Sequence, residues 1–241
     1  MRSLILCAGK GSRFNTQNNS KPKCLIEINK KKIIDMQIFS LQKNHINDIA
    51  IVTGFKSQSL NHDLITKSYN NKDWENTNMV YSLFSASEWL NNSDCLISYG
   101  DIFYSHLTIK KLIESKEDIN ILYHLDFMEM WKGRYEDPYS DLESFKISKT
   151  GHLEDIGHKV SSADKIMGQF MGLIYIKKNG WDIFKNILAD INIEKIDFTS
   201  VLQHLVNNKI SIKCIPTNEI WGEIDTINDL KFYEKYYENR L

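Results

Sequence analysis

The sequence predicts an α/β fold, a mainly parallel sheet flanked by helices, and three observations predict it. Short apolar runs without polar alternation recur, as strands buried on both faces require. Stretches with apolar residues at helical spacing separate those runs. A polar loop containing glycines leaves the first run, at the place where open α/β sheets bind ligands.

Taken in order, Ser3–Ala8 (SLILCA) reads as a buried strand, and a loop from Gly9 to Pro22 follows it. Ile33–Asn44 carries apolar residues at helical spacing, and Asp48–Thr53 is a second buried strand. Val80–Leu90 reads as a helix, and Asp94–Ser98 as a strand that runs into Tyr99, Gly100 and Asp101. Leu107–Ser115 is helical and Asn120–His124 is another strand. This alternation implies right-handed crossovers between parallel strands. From Asp126 to Val160 the pattern becomes aromatic, charged and rich in turns, with strands at Ser144–Ile147 and His152–Ile156. A β-hairpin insertion at about 126–160 is the natural reading. Phe170–Ile176 restores a strand, Trp181–Leu188 and Thr199–Asn207 are helical, and Ser211–Ile215 is a strand. The tail from Ile227 again has helical spacing, and without repeats or a linker the whole of 1–241 reads as one domain.

Composition narrows the class. The chain has 241 residues, 42% hydrophobic and 25% charged, enough to bury a sizeable core. A net charge of −1 offers no basic excess for nucleic acid. No run approaches the ~20 apolar residues of a membrane span, and the N-terminal apolar run is too short for a secretory signal. A cytoplasmic protein with no membrane or nucleic-acid partner is expected. Cys7, Cys24, Cys95 and Cys214 lie far apart, with no C-x-x-C and no histidine at metal-ligand spacing. Buried free thiols fit this better than zinc or disulfides.

The densest signal is L-C-A-G-K-G-S-R-F at Leu6–Phe14, followed by K-P-K at Lys21–Lys23. Gly9 and Gly11 would let backbone N–H groups approach phosphate oxygens. Arg13 can grip a phosphate in a fork, and Lys23 can bring a mobile point charge. The glycine pair alone also reads as an ordinary turn, and it forms neither a P-loop nor a full dinucleotide fingerprint. In combination, these residues resemble the A-G-x-G-[ST]-R…P-K signature of the sugar-phosphate nucleotidyltransferase superfamily. The resemblance implies a Rossmann-like nucleotidyltransferase fold and a triphosphate-binding loop at Ala8–Arg13 (Ala8, Gly9, Lys10, Gly11, Ser12), with Leu6 beside it. It also implies that Arg13 and Lys23 are catalytic.

Two acids stand far apart, Asp101 in S-Y-G-D and Asp225 in W-G-E-I-D-T, each between a strand end and a helix start. Helix capping accounts for either one taken alone. Together they fall where the superfamily places carboxylates that hold Mg²⁺, with Glu223 as a third ligand or a group just outside it and Gly100 against the nucleotide. Magnesium prefers hard oxygen ligands and takes few from protein. A phosphate monoester is substantially dianionic near neutrality, its second pKa being about 6. It can therefore attack without a general base, and none of the seven histidines stands in a catalytic context.

Glu75–Leu83 (ENTNMVYSL), Trp131–Phe145 (WKGRYEDPYSDLESF) and Met167–Leu173 (MGQFMGL) are similar to segments of bacterial phosphocholine and aminoethylphosphonate cytidylyltransferases. This implies CTP as the nucleotide, with Asn78 and Ser82 near its base or ribose, although an Asn N-cap explains Asn78 as well. It also implies an acceptor site at Arg134, Asp141, Glu143 and Gln169. Both signs of charge there suit a zwitterionic acceptor, and a charged, solvated hairpin would look the same. The resemblance extends to cytidylyltransferases of bacterial capsule phosphoramidate assembly, which implies L-glutamine phosphate as the acceptor. Phosphocholine, 2-aminoethylphosphonate and a sugar 1-phosphate are the alternatives, the last disfavoured by the short polar stretch Phe14–Ser20. A glycosyltransferase would need a D-x-D motif, which Tyr99–Phe103 lacks. A non-catalytic nucleotide-binding homologue is the alternative of another class.

Overall fold

The computed structural model of the chain describes residues 1–14 and 21–238. The polar stretch at 15–20, and with it most of the loop expected between Gly9 and Pro22, lies outside the described residues.

The first strand, β1 (Arg2–Cys7), is buried along almost its whole length because its side chains are apolar on both faces. After it come a short ribbon, β2 (Glu27–Ile28) and β3 (Lys31–Lys32), and helix α1 (Ile33–Gln42). Strands β4 (Ile49–Thr53) and β5 (Lys67–Asn70) lie to one side of β1, in the order β1-β4-β5 and all parallel. The chain then returns through α2 (Met79–Phe84) and α3 (Ser87–Leu90) to place β6 (Cys95–Tyr99) on the other side of β1, again parallel. That reversal makes the crevice beyond the carboxyl ends of β1 and β6 the switch point of the sheet. The loop at Ala8–Arg13 and the turn at Gly100–Asp101 both open into it.

Outward from β6, the sheet continues with β11 (Gln169–Ile176), β8 (Ile119–His124) and β12 (Lys213–Thr217). β11 runs antiparallel to both its neighbours, and β12 is parallel to β8. Helices α4 (His106–Ile113), α6 (Lys178–Ile187) and α7 (Phe198–Asn207) provide the crossovers and cover. The buried apolar side chains form one contiguous cluster, with Trp131, Trp181 and Trp221 among the largest that are fully enclosed. Each fully buried large side chain contributes roughly 1.5–3 kcal/mol.

Three features depart from the sequence expectation. The helix expected over Val80–Leu90 is two pieces, broken where Ala86 leaves helical conformation at ψ 22°. The insertion is not a hairpin alone: helix α5 (Phe127–Arg134) precedes β9 (Glu143–Ile147) and β10 (Leu153–Lys159). A two-stranded ribbon pairs β7 (Ile102–Tyr104) with β13 (Trp221–Glu223), with Glu223 opposite Ile102. The N–H of Ile224 donates to the carbonyl of Asp101 at 3.0 Å. Gly222 is required here, since a Cβ would stand 2.5 Å from the Phe103 ring. The last helix, α8 (Ile227–Tyr236), starts from Thr226 through a capping box with Asp229. Among the described residues, no helix is long and apolar enough to cross a membrane.

Candidate active site

The ribbon between β7 and β13 brings the two distant acids together. Asp101, Glu223 and Asp225 each offer a carboxylate oxygen within 4.8 Å of the others. Lys23 spans two of them, its Nζ 2.9 Å from Asp101 Oδ2 and 2.5 Å from Asp225 Oδ1. Arg13 Nη2 donates to the same Asp225 oxygen at 2.9 Å, and its Nη1 lies 3.9 Å from Asp141 Oδ1. Burial alone would lower the pKa of Lys23, yet Asp101 and Asp225 outweigh it and hold the ammonium above its ordinary range. For Arg13 too, burial is outweighed, first by Asp225.

These acids fit a hard divalent cation. Glu223 is pushed well above the usual carboxylate range by burial, and then by Asp225 and Asp101, with Arg134 and Lys23 opposing. Asp101 Oδ1 is buried with no hydrogen-bond partner among the described residues. An all-oxygen donor set with an unused lone pair is what Mg²⁺ chemistry takes up.

Two of the acids are braced from behind. Gln37, fully buried on α1, donates to the carbonyls of Tyr99 (2.9 Å) and Ile102 (2.6 Å), which flank Gly100–Asp101. Ser98 Oγ in turn donates to Gln37 Oε1 at 2.9 Å. On the other arm, Asp229 Oδ2 accepts from the N–H of Asp225 at 3.0 Å and of Thr226 at 2.7 Å. Neither Gln37 nor Asp229 was singled out by the sequence. A polar residue on the apolar face of α1 was the available signal for Gln37.

The glycine loop lies against this cluster. Gly11 has φ +62°, and a Cβ there would meet Lys23 Cγ at 2.6 Å, so glycine lets the lysine stem cross the loop. At Gly9 a Cβ would meet nothing within 4 Å, which leaves its backbone open to a ligand. Lys10 and Ser12 are exposed on the loop. Gly100 is needed for packing as well, because a Cβ would stand 2.6 Å from Leu6 O and from Cys7 Sγ. A cavity of about 140 Å³ is lined by Leu6, Ala8, Gly9, Trp74, Asn78 and Ser82. Ser82 Oγ accepts from Asn71 at 3.0 Å. Asn78 precedes α2 without capping it through its side chain, which donates instead to Lys195 O at 2.8 Å.

Beside Arg13, Glu223 and Asp225 opens a larger cavity of about 540 Å³. Asp141, Glu143 and Gln169 line it, and so do Tyr99, Phe170, Asp197, Phe198 and Thr199. The last three belong to the start of α7, where Asp197 caps the helix by accepting from Ser200 N–H. A D-x-x-S order is a helix-start pattern and says nothing of a cavity. Asp141 is held by Trp131 Nε1 at 3.1 Å. Glu143 is raised above the ordinary carboxylate range, chiefly by burial, with a Thr199 hydrogen bond opposing and Asp197 adding to it.

Arg134 departs from the expected acceptor role. Its side chain is 0% exposed and does not line the cavity. It donates through Nε to Asp229 Oδ1 at 2.7 Å, because α5 packs against α8 and turns the arginine inward. The four cysteines are buried and free, and Cys7 is pushed well up by a hydrogen bond with Cys24 and by burial. His124 is used structurally: Asp126 N–H donates to its Nδ1 at 3.1 Å, and Nε2 donates to Glu219 O at 3.0 Å.

Residues 3–128 match the model of the MobA-like NTP transferase domain. The chain is 32% identical over 252 aligned residues to the CTP:phosphoglutamine cytidylyltransferase of Campylobacter jejuni, covering 96% of this chain and 98% of that one. It is 26% identical to the choline-phosphate cytidylyltransferase of Streptococcus pneumoniae, covering 99% of each. Among solved structures, the inositol-1-phosphate CTP transferase of T. maritima superposes with a TM-score of 0.74 at 19% identity, over 98% of this chain and 96% of that one. The glycine loop, the paired sheet ends and these matches lead to one conclusion: the chain belongs to the MobA-like NTP transferase domain family and is a nucleotidyltransferase.

Proposed function

We propose that this chain, one nucleotidyltransferase domain with an acceptor-side insertion at about 126–160, transfers CMP from CTP to a small phosphorylated acceptor, releasing pyrophosphate. The observation that carries the reading is the meeting of Asp101, Glu223 and Asp225 with Lys23 and Arg13 between the glycine loop and the larger cavity. The names of the Campylobacter jejuni and Streptococcus pneumoniae relatives support CTP. Leu6, Ala8, Asn78 and Ser82 would border the base and ribose, and the backbone of Gly9–Ser12 with Gly100 would border the triphosphate.

Asp101, Asp225 and Glu223 would hold Mg²⁺, which when bound neutralises charge on the triphosphate. Lys23 then exchanges its carboxylate partners for phosphate oxygens, and Arg13 orients the acceptor phosphate beside the α-phosphorus. An acceptor oxygen forms a bond to the α-phosphorus as the bond to the β-phosphate oxygen breaks, and pyrophosphate departs with that electron pair. The acceptor phosphate is already largely ionised, so no side chain needs to remove a proton. Positioning and fixed charge supply the catalysis.

For the acceptor, the wall of Asp141, Glu143 and Asp197 suits an ammonium, while Gln169 and Thr199 offer neutral hydrogen-bonding groups. L-glutamine phosphate, the acceptor named in the Campylobacter jejuni relative, carries such an amine. Phosphocholine is the second reading. With Arg134 turned away from the cavity, acids and the aromatic faces of Tyr99, Phe170 and Phe198 dominate its wall, as a quaternary ammonium prefers.

The test is pyrophosphate release with Mg²⁺, crossing four nucleoside triphosphates against phosphoglutamine, phosphocholine, 2-aminoethylphosphonate and glucose 1-phosphate. Turnover confined to CTP with phosphoglutamine is the expected result. CTP with another acceptor would replace the acceptor and keep the chemistry, and turnover with no pair would refute the reading.

A further inference from the structure

We infer that Arg134 is a positioning residue for Asp225, acting through Asp229 to fix the metal-binding carboxylate. The inference rests on the reading that Asp225 holds the divalent cation. Arg134 reaches Asp229 Oδ1 through Nε at 2.7 Å, and its Nη2 lies 4.0 Å from Asp225 Oδ2. The other Asp229 oxygen accepts from the backbone of Asp225 (3.0 Å) and Thr226 (2.7 Å) and from Thr226 Oγ1 (3.0 Å). One carboxylate therefore links the guanidinium to the peptide that carries Asp225. With Oδ2 facing Arg134, Asp225 presents Oδ1 toward Lys23 and Arg13.

The guanidinium itself is caged. Its carbon lies 4.7 Å from the Trp131 ring centroid, 5.1 Å from that of Tyr135 and 5.7 Å from that of Tyr233. Trp131 also donates to Asp141, so the helix that carries Arg134 fixes an acid on the acceptor wall as well. Core stability is a poor reason for this arrangement. A buried ion pair is often no better than apolar packing of similar volume, and Arg134 Nη1 is buried with no partner among the described residues. Planar, forked geometry is what the site uses, and lysine would not reproduce it. Groups that orient metal ligands from outside typically change metal affinity or activity 10–100-fold when altered, by roughly that factor in either measure.

The experiment measures Mn²⁺ binding to the metal-free protein without nucleotide, by electron paramagnetic resonance, for the wild type, Asp225→Asn, Arg134→Lys, Arg134→Met and Asp229→Asn. Circular dichroism checks the fold of each variant. Asp225→Asn tests the underlying reading: if it keeps wild-type Mn²⁺ affinity, Asp225 is not a ligand and that reading fails. With Asp225→Asn impaired, the Arg134 and Asp229 variants are expected to bind Mn²⁺ about 10–100-fold more weakly while folded. Their turnover should recover as metal is raised, with the acceptor KM changed by less than about twofold. Folded Arg134 variants with wild-type Mn²⁺ affinity would overturn the inference, whether or not the acceptor KM rises. Failure of all three Arg134 and Asp229 variants to fold would also overturn it, in favour of a purely structural ion pair.

Discussion

The two aspartates of the acid cluster reach the same place by different routes. Asp101 sits two residues beyond β6, a strand buried in the centre of the sheet, and its turn is braced by a neutral amide, Gln37. Asp225 follows a three-residue strand at the margin, and its brace is the charged pair of Asp229 and Arg134. The first arm inherits its geometry from strands that would form for packing reasons alone. The second depends on polar contacts between the inserted helix and the last helix. Rigidity of the Asp101 arm therefore comes with the fold, while the Asp225 arm has to be tied down by specific side chains.

The most direct way to break this comparison is to remove each carboxylate in turn. Asp101→Ala and Asp225→Ala are each expected to lower kcat by at least about 10²-fold, the scale set by losing one charge-stabilising group in an active site. Initial rates of pyrophosphate release measure it, and thermal melts check that both variants remain folded. If one variant keeps normal turnover, the arms are not equivalent and only the other carries the chemistry.

Removing the brace on the sheet side is expected to cost less in rate and more in stability. Gln37→Leu leaves the buried carbonyls of Tyr99 and Ile102, and the hydroxyl of Ser98, without their present partner. A buried group so stranded costs about 1–3 kcal/mol. Urea titration should show a reduced midpoint with little change in slope. An unchanged midpoint would mean that the turn at Asp101 holds without Gln37.

The contrast between the arms also marks what the sequence could show. β1, β4 and β6 were legible because doubly buried strands are continuous apolar runs, and the Ala8–Arg13 loop was legible because its residue types are restricted by chemistry. β5 was not: its sequence KSYN is polar because it lies on the sheet edge. α5 was hidden by Gly133 and by a weakly amphipathic sequence, FMEMWKGR. The pairing of β7 with β13 joins two three-residue strands more than a hundred residues apart, too short to carry a periodic signal. Arg134 was misread for the same reason. Its charge was visible, but the partner that turns it inward lies 95 residues away in sequence.

A smaller effect separates the wall of the larger cavity from the cluster. Glu143→Gln removes a charge without changing shape, and it should raise the KM of an amine-bearing acceptor roughly tenfold, in line with a lost charged hydrogen bond, while leaving that of CTP unchanged. The pH profile gives the sign. Burial holds the Glu143 carboxyl above its ordinary value of 4.5, so its anionic form is lost early as the pH falls. In the wild type, kcat/KM for the acceptor should fall on the acid side through two steps, this one and protonation of the acceptor phosphate near pKa about 6. Glu143→Gln should keep only the phosphate step. Identical acid limbs would move Glu143 out of the acceptor site.

The smallest expected effect lies at the joint between the sheet and the Asp225 arm. His124 ends β8 and stacks on Trp221 at 5.8 Å, and Trp221 stacks in turn on Trp131 at 6.0 Å. Burial lowers the pKa of His124 below its ordinary value of 6.5, outweighing the hydrogen bond to Glu219 O and the charge of Asp126, which act the other way. In the unfolded chain the ring binds a proton more readily, so the unfolded state gains relative stability as the pH falls. The contribution is complete above about 6.5 and declines as pH drops below it, levelling off only beneath the folded-state value. His124→Gln cannot titrate, so its melting temperature should fall less between pH 7 and pH 5 than that of the wild type. The ring hydrogen-bonds to the backbone of Glu219 and Asp126 and, among the described residues, to none of the three acids, so the CTP KM at pH 7 should not move. An equal acid sensitivity in both proteins would place the titrating group elsewhere and leave the joint held by packing alone.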